Sequence, residues 1–190
     1  MCENVFDFLM HHFSSYQIEF SKNGTLAEIV NPFGIDNIRV EYVPDDEFTP
    51  FIVYFAFQHC HMNDEEDIVD YICDLIDGNR CCIEFFKNGT RHFGGDISAE
   101  ELINLSYEGL EQYSGYFGLH KLINLADSFK VRGWNPKDNF DADFIISDNG
   151  SVEIMRQEQV GEISWDRHKF PNLFSGFVPC TETSLKAPCR

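Results

Sequence analysis

The sequence predicts an α+β fold: a single domain, mostly antiparallel sheet, with several Asn-Gly hairpins and helices packed on the sheet. Three observations carry that expectation. Asn-Gly pairs begin at Asn23, Asn88 and Asn149, each between runs of strand-forming residues, and both residue types tolerate the positive φ of tight hairpin turns. Residues 51–57 (FIVYFAF) are continuously apolar and too short for an ordinary helix. Residues 63–77 repeat apolar side chains at helical spacing and stop at Gly78.

Taken in order, residues 4–13 read as a short amphipathic helix, followed by a strand at 16–20, the Asn23-Gly24 turn and a return strand at 26–30. Pro32-Phe33-Gly34 turns the chain again. Residues 38–43 alternate as a half-buried strand does, and 44–50 (PDDEFTP) form an acidic loop. The 51–57 run reads as a central strand buried on both faces, covered by helices on both sides or by self-pairing.

The helix at 63–77 has Asn63 or Asp64 as its cap. Ile68, Val69, Ile72, Leu75 and Ile76 lie on one face, and Asp67, Asp70, Asp74 and Asp77 on the other. A strand at 81–86, the Asn88-Gly89 turn and a short return at 91–93 come next, and Phe93-Gly94-Gly95-Asp96 reads as a bulge or turn. Ser98 and Glu101 form a capping box for a helix reaching about Leu110. Residues 114–118 read as a loop and 121–134 as a helix ending in an extended SFKVRGW. A third hairpin spans 142–156. The domain covers 1–178, with a flexible tail from 179 to 190.

The octet IEFSKNGT at 18–25 returns as IEFFKNGT at 83–90, with seven of eight letters matched. The sequence favours one turn used twice. A duplicated folding unit and a functional loop are the alternatives.

The net charge is −18, and it is unevenly placed. Residues 1–79 hold 16 acids and two bases, Lys22 and Arg39, for a net −14. Such a field repels nucleic acid and anionic membrane and speeds association with basic proteins. Solubility alone is the plainer account. No apolar run reaches the ~18 residues of a membrane span. The seven cysteines have no framework spacing, and Cys81 and Cys82 are adjacent, which suits a reducing cytoplasm. The acidic N-terminal stretch lacks the basic region of a signal peptide. The Asn-Gly-Thr/Ser sequons therefore read as turns.

Two acidic groups are the candidate partner-binding site. The first is Asp64, Glu65, Glu66 and Asp67 with Asp70 and Asp74. Acids suit a helix N-terminus, but Asp70 and Asp74 are a like-charge pair one turn apart, which costs about 0.2–0.5 kcal/mol. A basic partner accounts for them; an ordinary solvated face is the alternative. The second group is Asp45, Asp46 and Glu47 beside Phe48, an aromatic anchor within an acidic loop. His59 and His61 point the same way in a strand and are the candidate metal ligands. They lack CxxC, HExxH or H-x₃₋₅-H spacing, and no cofactor is implied. Lys130 and Arg132 share a strand face, where they balance acids within the fold. No GxSxG, P-loop or dinucleotide fingerprint is present.

A small acidic α+β chain of this kind, with the stretches FAFQHCH, IEFFKNGTRHFGGDI and SFKVRGWN, resembles the bacterial immunity proteins that neutralise polymorphic or contact-dependent toxins. The resemblance implies a cytoplasmic inhibitor that binds a toxin domain, often a basic nuclease, and blocks its active site or substrate groove. A metal-dependent enzyme using His59 and His61 is the alternative from another class, and a self-associating structural subunit is a third.

Overall fold

The computed structural model describes residues 5–114 and 121–157. Cys2, Cys180, Cys189, the tail expected from 179 and most of the loop expected at 114–118 lie outside these residues. So does the domain boundary expected at 178.

The described residues form two antiparallel five-stranded sheets and five α-helices. The first sheet is a simple meander of β1 (Ile18–Phe20), β2 (Leu26–Ile29), β3 (Ile38–Tyr42), β4 (Phe51–Phe55) and β5 (Gln58–Met62). The second contains β6 (Arg80–Lys87), β7 (Thr90–Ser98), β8 (Ser128–Arg132), β9 (Phe140–Ile146) and β10 (Val152–Arg156), in the order β10-β9-β8-β6-β7. Helix α1 (Asp7–His12) precedes the first sheet and α2 (Glu65–Asp77) links the two. Helices α3 (Ala99–Ile103), α4 (Tyr107–Tyr113) and α5 (Leu122–Leu125) lie between β7 and β8.

Each sheet has its own core. One face of the first sheet presents Ala27, Ile29, Ile38, Val40, Val53 and Phe55 to Phe6 and Leu9 of the α1 segment and to Ile68, Ile72 and Leu75 of α2. The second sheet buries Ile83, Phe85, Phe129, Val131, Ala142 and Phe144 with Tyr107, Leu110 and Leu122 from α4 and α5. Cys81 and Cys82 divide between the cores: side chains alternate along β6, so Cys81 enters the second and Cys82 the first.

Strand β4 is not buried on both faces. Phe51, Val53 and Phe55 are buried, while Ile52 and Tyr54 are only half-buried. The first sheet has its helices on one side, and Tyr54 and Ile52 line the other. The strand ends at Phe55, inside the apolar run, where Ala56 takes a φ of 49° and the chain reverses into β5. The helix expected from Ser98 to about Leu110 is two helices. The Ser98–Glu101 capping box forms as expected, but α3 stops at Ile103 and Ser106 caps α4 by accepting from Gly109 N. A second cap signal, three residues after Ile103, outcompetes continuation of the first helix.

The Phe93-Gly94-Gly95-Asp96 stretch is neither turn nor bulge but part of β7, which is much longer than the expected 91–93 return. The register shift lies before it, between Phe85 and Phe86 on β6. The glycines serve close approach. A Cβ on Gly94 would lie 2.5 Å from Ile83 O and from Gln58 Nε2, and one on Gly95 would meet the Tyr113 hydroxyl.

The two near-identical octets form different turns. Asn88 and Gly89 take φ of 50° and 73°, the all-positive pair expected of a two-residue hairpin loop. Asn23 does not take positive φ; only Gly24 does, at 70°. There Gly24 N donates to Ser21 O, and Ser21 Oγ donates to Asn23 Oδ1. The structural counterpart of that turn is Ser147–Ser151, where Gly150 N donates to Ser147 O and Ser147 Oγ to Asn149 Oδ1. The shared letters thus yield neither a repeated turn nor a repeated environment. Glu19 is exposed on edge strand β1, whereas Glu84, its match in the second octet, is 1% exposed on β6 between β7 and β8.

Candidate partner-binding site

Residues 43–50 form a tight loop closed by Val43 N donating to Pro50 O at 2.7 Å. Asp46 organises it. Its Oδ1 accepts from Phe48 N and Thr49 N at 3.0 and 2.9 Å, and its Oδ2 accepts from the Thr49 hydroxyl at 2.9 Å. The backbone donor of Thr49, then that of Phe48 and the Thr49 hydroxyl, hold the Asp46 carboxyl below its ordinary range, with a smaller pull from His61. Asp45 and Glu47 are exposed. Phe48 stands at the tip with 85% of its surface in solvent. A large aromatic held out by a fixed loop loses little further freedom on binding.

Helix α2 begins at Asp64, whose Oδ1 accepts from Asp67 N at 3.0 Å. Glu65, Glu66, Asp67 and Asp70 are exposed along its outer face. Gly78 ends the helix in the left-handed conformation at φ 77°. Asp74 has an internal partner that spacing alone does not reveal. Arg80 reaches back around the Gly78 turn, 3.2 Å from Asp74 and 3.4 Å from Asp96, and lies over the Tyr71 ring. Part of the acidic stripe is therefore spent inside the fold, while Asp67 and Asp70 remain open.

The pairing of β4 with β5 brings the loop and the helix together. Phe51, which follows the loop, lies opposite Met62, which precedes the helix cap. The Asp45–Phe48 group and the Asp64–Asp67 group thus leave the same end of the first sheet. His59 and His61 lie on one exposed face of β5, with ring centroids 5.5 Å apart. Among the described residues, no group of three or more His, Cys, Asp or Glu side chains is arranged to hold a metal ion.

Two charged clusters at the junction of the sheets were not singled out by sequence reasoning. Buried Glu84 forms an ion pair with Arg91 Nε, and Arg91 also donates to Phe57 O at the β4–β5 tip. Burial holds the Glu84 carboxyl above its ordinary value, against the pull of Arg91, Lys130 and Arg132. Asp141 accepts from Arg132 at 2.7 Å and lies 3.7 Å from Lys130. The two cations of SFKVRGW therefore balance acids within the fold.

The second cluster centres on Asp96, which takes the Tyr71 hydroxyl at 3.1 Å besides Arg80 and stands beside the thiols of Cys60 and Cys82. Burial raises both thiols above their ordinary range, which disfavours the nucleophilic thiolate. These clusters join the two sheets. The signal that could have found Glu84 is an acid alternating with apolar residues in a strand flanked on both sides. Flanking is a long-range property that the octet itself does not contain.

Comparison with protein-family models, curated proteins and solved structures finds no match to this chain.

Proposed function

We propose that the protein is an acidic inhibitor of the immunity type: a cytoplasmic, non-enzymatic binder that occludes the active site or phosphate groove of a basic toxin domain. The observation that carries this reading is the convergence of the Phe48 loop and the acidic start of α2 at one end of the first sheet, tied by the Phe51–Met62 pair. An exposed aromatic supplies an anchor, and carboxylates around it select a positively charged surround. The −14 charge of the first 79 residues extends that field well beyond the contact. No helix among the described residues is long and apolar enough to cross a membrane.

The mechanism is steric and electrostatic. Glu65, Glu66, Asp67 and Asp70 occupy positions that substrate phosphates take in the basic groove, and Phe48 enters an apolar recess beside it. Association is fast at low ionic strength and slows as salt shortens the screening length to roughly 8 Å near physiological conditions. The test is the association rate of the partner across a salt series, for the native chain and for Asp67→Lys/Asp70→Lys. The expected result is a steep salt dependence that the double variant flattens. An unchanged rate and affinity in the variant remove the α2 face from the interface.

A further inference from the structure

The solvent side of the first sheet carries a second feature, beside the end where the acidic loop leaves: Tyr42 N donates to Thr25 O, and Tyr42 pairs with Phe51. An open cavity of about 430 Å³ lies over β2–β4, lined by Leu26, Arg39, Glu41 and Tyr54 of the strands and by Ser21, Asn23 and Thr25 of the β1–β2 turn. Its volume falls in the range of small-molecule sites, roughly 300–1,000 Å³.

Arg39 is one of only two bases in the first 79 residues. The other, Lys22, lies in the chain between the lining residues Ser21 and Asn23. None of the ion pairs among the described residues includes Arg39. Its guanidinium lies 5.4 Å from the centre of the Tyr54 ring, and Glu28 of β2 lies across from Arg39 in the β2–β3 register. Glu41 follows two residues later on the same strand, so it shares that face at a backbone separation of about 6.6 Å. One oxygen of Glu41 accepts from the Tyr54 hydroxyl at 2.8 Å, which fixes the carboxylate and leaves the other oxygen for a further donor.

The site therefore offers a cation and an anion side by side, an aromatic wall, and polar groups at the rim. A simple anion is repelled by the surrounding acids, and a simple cation makes no use of Arg39. A molecule carrying both charges uses both groups and is neutral in the long-range field. We infer that this cavity binds a zwitterionic small molecule of the amino-acid class, its carboxylate on Arg39 and its ammonium on Glu41. The inference does not rest on the inhibitor reading, since none of the lining residues belongs to the acidic loop or to α2.

The test is a titration of the ¹⁵N-labelled full chain, followed by amide shifts, with each standard L-amino acid in turn. Acetate and methylammonium serve as single-charge controls. The expected result is a saturable shift of Asn23, Thr25, Arg39, Glu41 and Tyr54 with at least one amino acid. Both controls should be weaker, and Arg39→Gln and Glu41→Gln should each weaken binding by about tenfold or more. Both side chains reach solvent, and unchanged amide spectra elsewhere show that the variants are folded. The inference is overturned if no amino acid saturates these shifts by about 10 mM, a limit corresponding to only ~3 kcal/mol of binding. It is also overturned if acetate alone reproduces them or if both variants bind as the native chain does.

Discussion

Phe51 lies directly across from Met62 in the β4–β5 hairpin, and this pairing brings two acidic stretches that are separate in the sequence to the same end of the first sheet. The loop that presents Phe48 ends one residue before Phe51. The cap of α2, Asp64, comes two residues after Met62.

The acids of α2 divide into two kinds. Asp74 is held by Arg80, while Asp67 and Asp70 are exposed. Asp74→Asn should lower stability by about 0.2–1 kcal/mol, the range of a solvent-accessible ion pair. Asp67→Lys/Asp70→Lys should leave the fold intact, lose partner binding and gain i,i+4 relief from like-charge repulsion at most marginally. Urea unfolding of both variants, set beside their binding, separates the roles. Equal binding losses without any stability loss for Asp74→Asn contradict the division.

Ser21 and Phe86 occupy the one position where the two octets differ, and the hydroxyl of Ser21 serves its turn directly. It donates to Asn23 Oδ1 at 2.6 Å and accepts from Leu26 N at 3.0 Å. Phe86 can do neither, and Asn88 takes the positive φ that Asn tolerates. Ser21→Phe should move Asn23 to positive φ, which is visible in its amide–Hα coupling constant. An unchanged coupling in a folded variant assigns the turn to longer-range contacts instead.

Glu84 gives stability a definite pH slope. Its ordinary value is about 4.3, and burial raises it in the folded chain. Between those two values the folded state holds more protons than the unfolded one, so this group's contribution falls as pH rises through the window. Glu84→Gln should remove that fall, and freed Arg91, about half exposed, can turn to water. Urea unfolding of both proteins at pH steps upward from about 4 checks the sign. Parallel profiles contradict it.

Gly94 is pressed against backbone at the junction of the sheets. Gly94→Ala drives a methyl against the Ile83 carbonyl and Gln58, and backbone on one side cannot yield as a side chain can. The expected cost is about 1–3 kcal/mol, measured by thermal or urea unfolding. A neutral substitution means that the approach of β7 to β5 and β6 at Gly94 is looser than the structure shows.

Local signals carried much of this fold. The cap at Asp64, the apolar period through Leu75 and the stop at Gly78 lie within fifteen residues, and they define α2 almost to the residue. The Ser98 box, the β9–β10 hairpin and the extended end of SFKVRGW were legible for the same reason. What was missed depends on remote neighbours. An apolar run such as FIVYFAF reads alike whether one or both faces are covered, and only the placement of α1 and α2 decides. A Gly-Gly pair reads as a turn unless Gln58 and Tyr113 are known to press against it. The candidate acids were named from their own stretches, but their convergence required the β4–β5 register, and the Asp74–Arg80 pair required the geometry of the Gly78 turn.

The most direct test of the central claim is parallel affinity capture from native cell lysate with the native chain and with Phe48→Ala/Asp67→Lys/Asp70→Lys. Quantitative mass spectrometry at low and high salt then reads what each retains. The expected result is one basic protein held by the native chain at low salt, released at high salt and reduced about tenfold or more on the variant. Equal retention by both chains, or the absence of any basic protein that distinguishes them, contradicts the account.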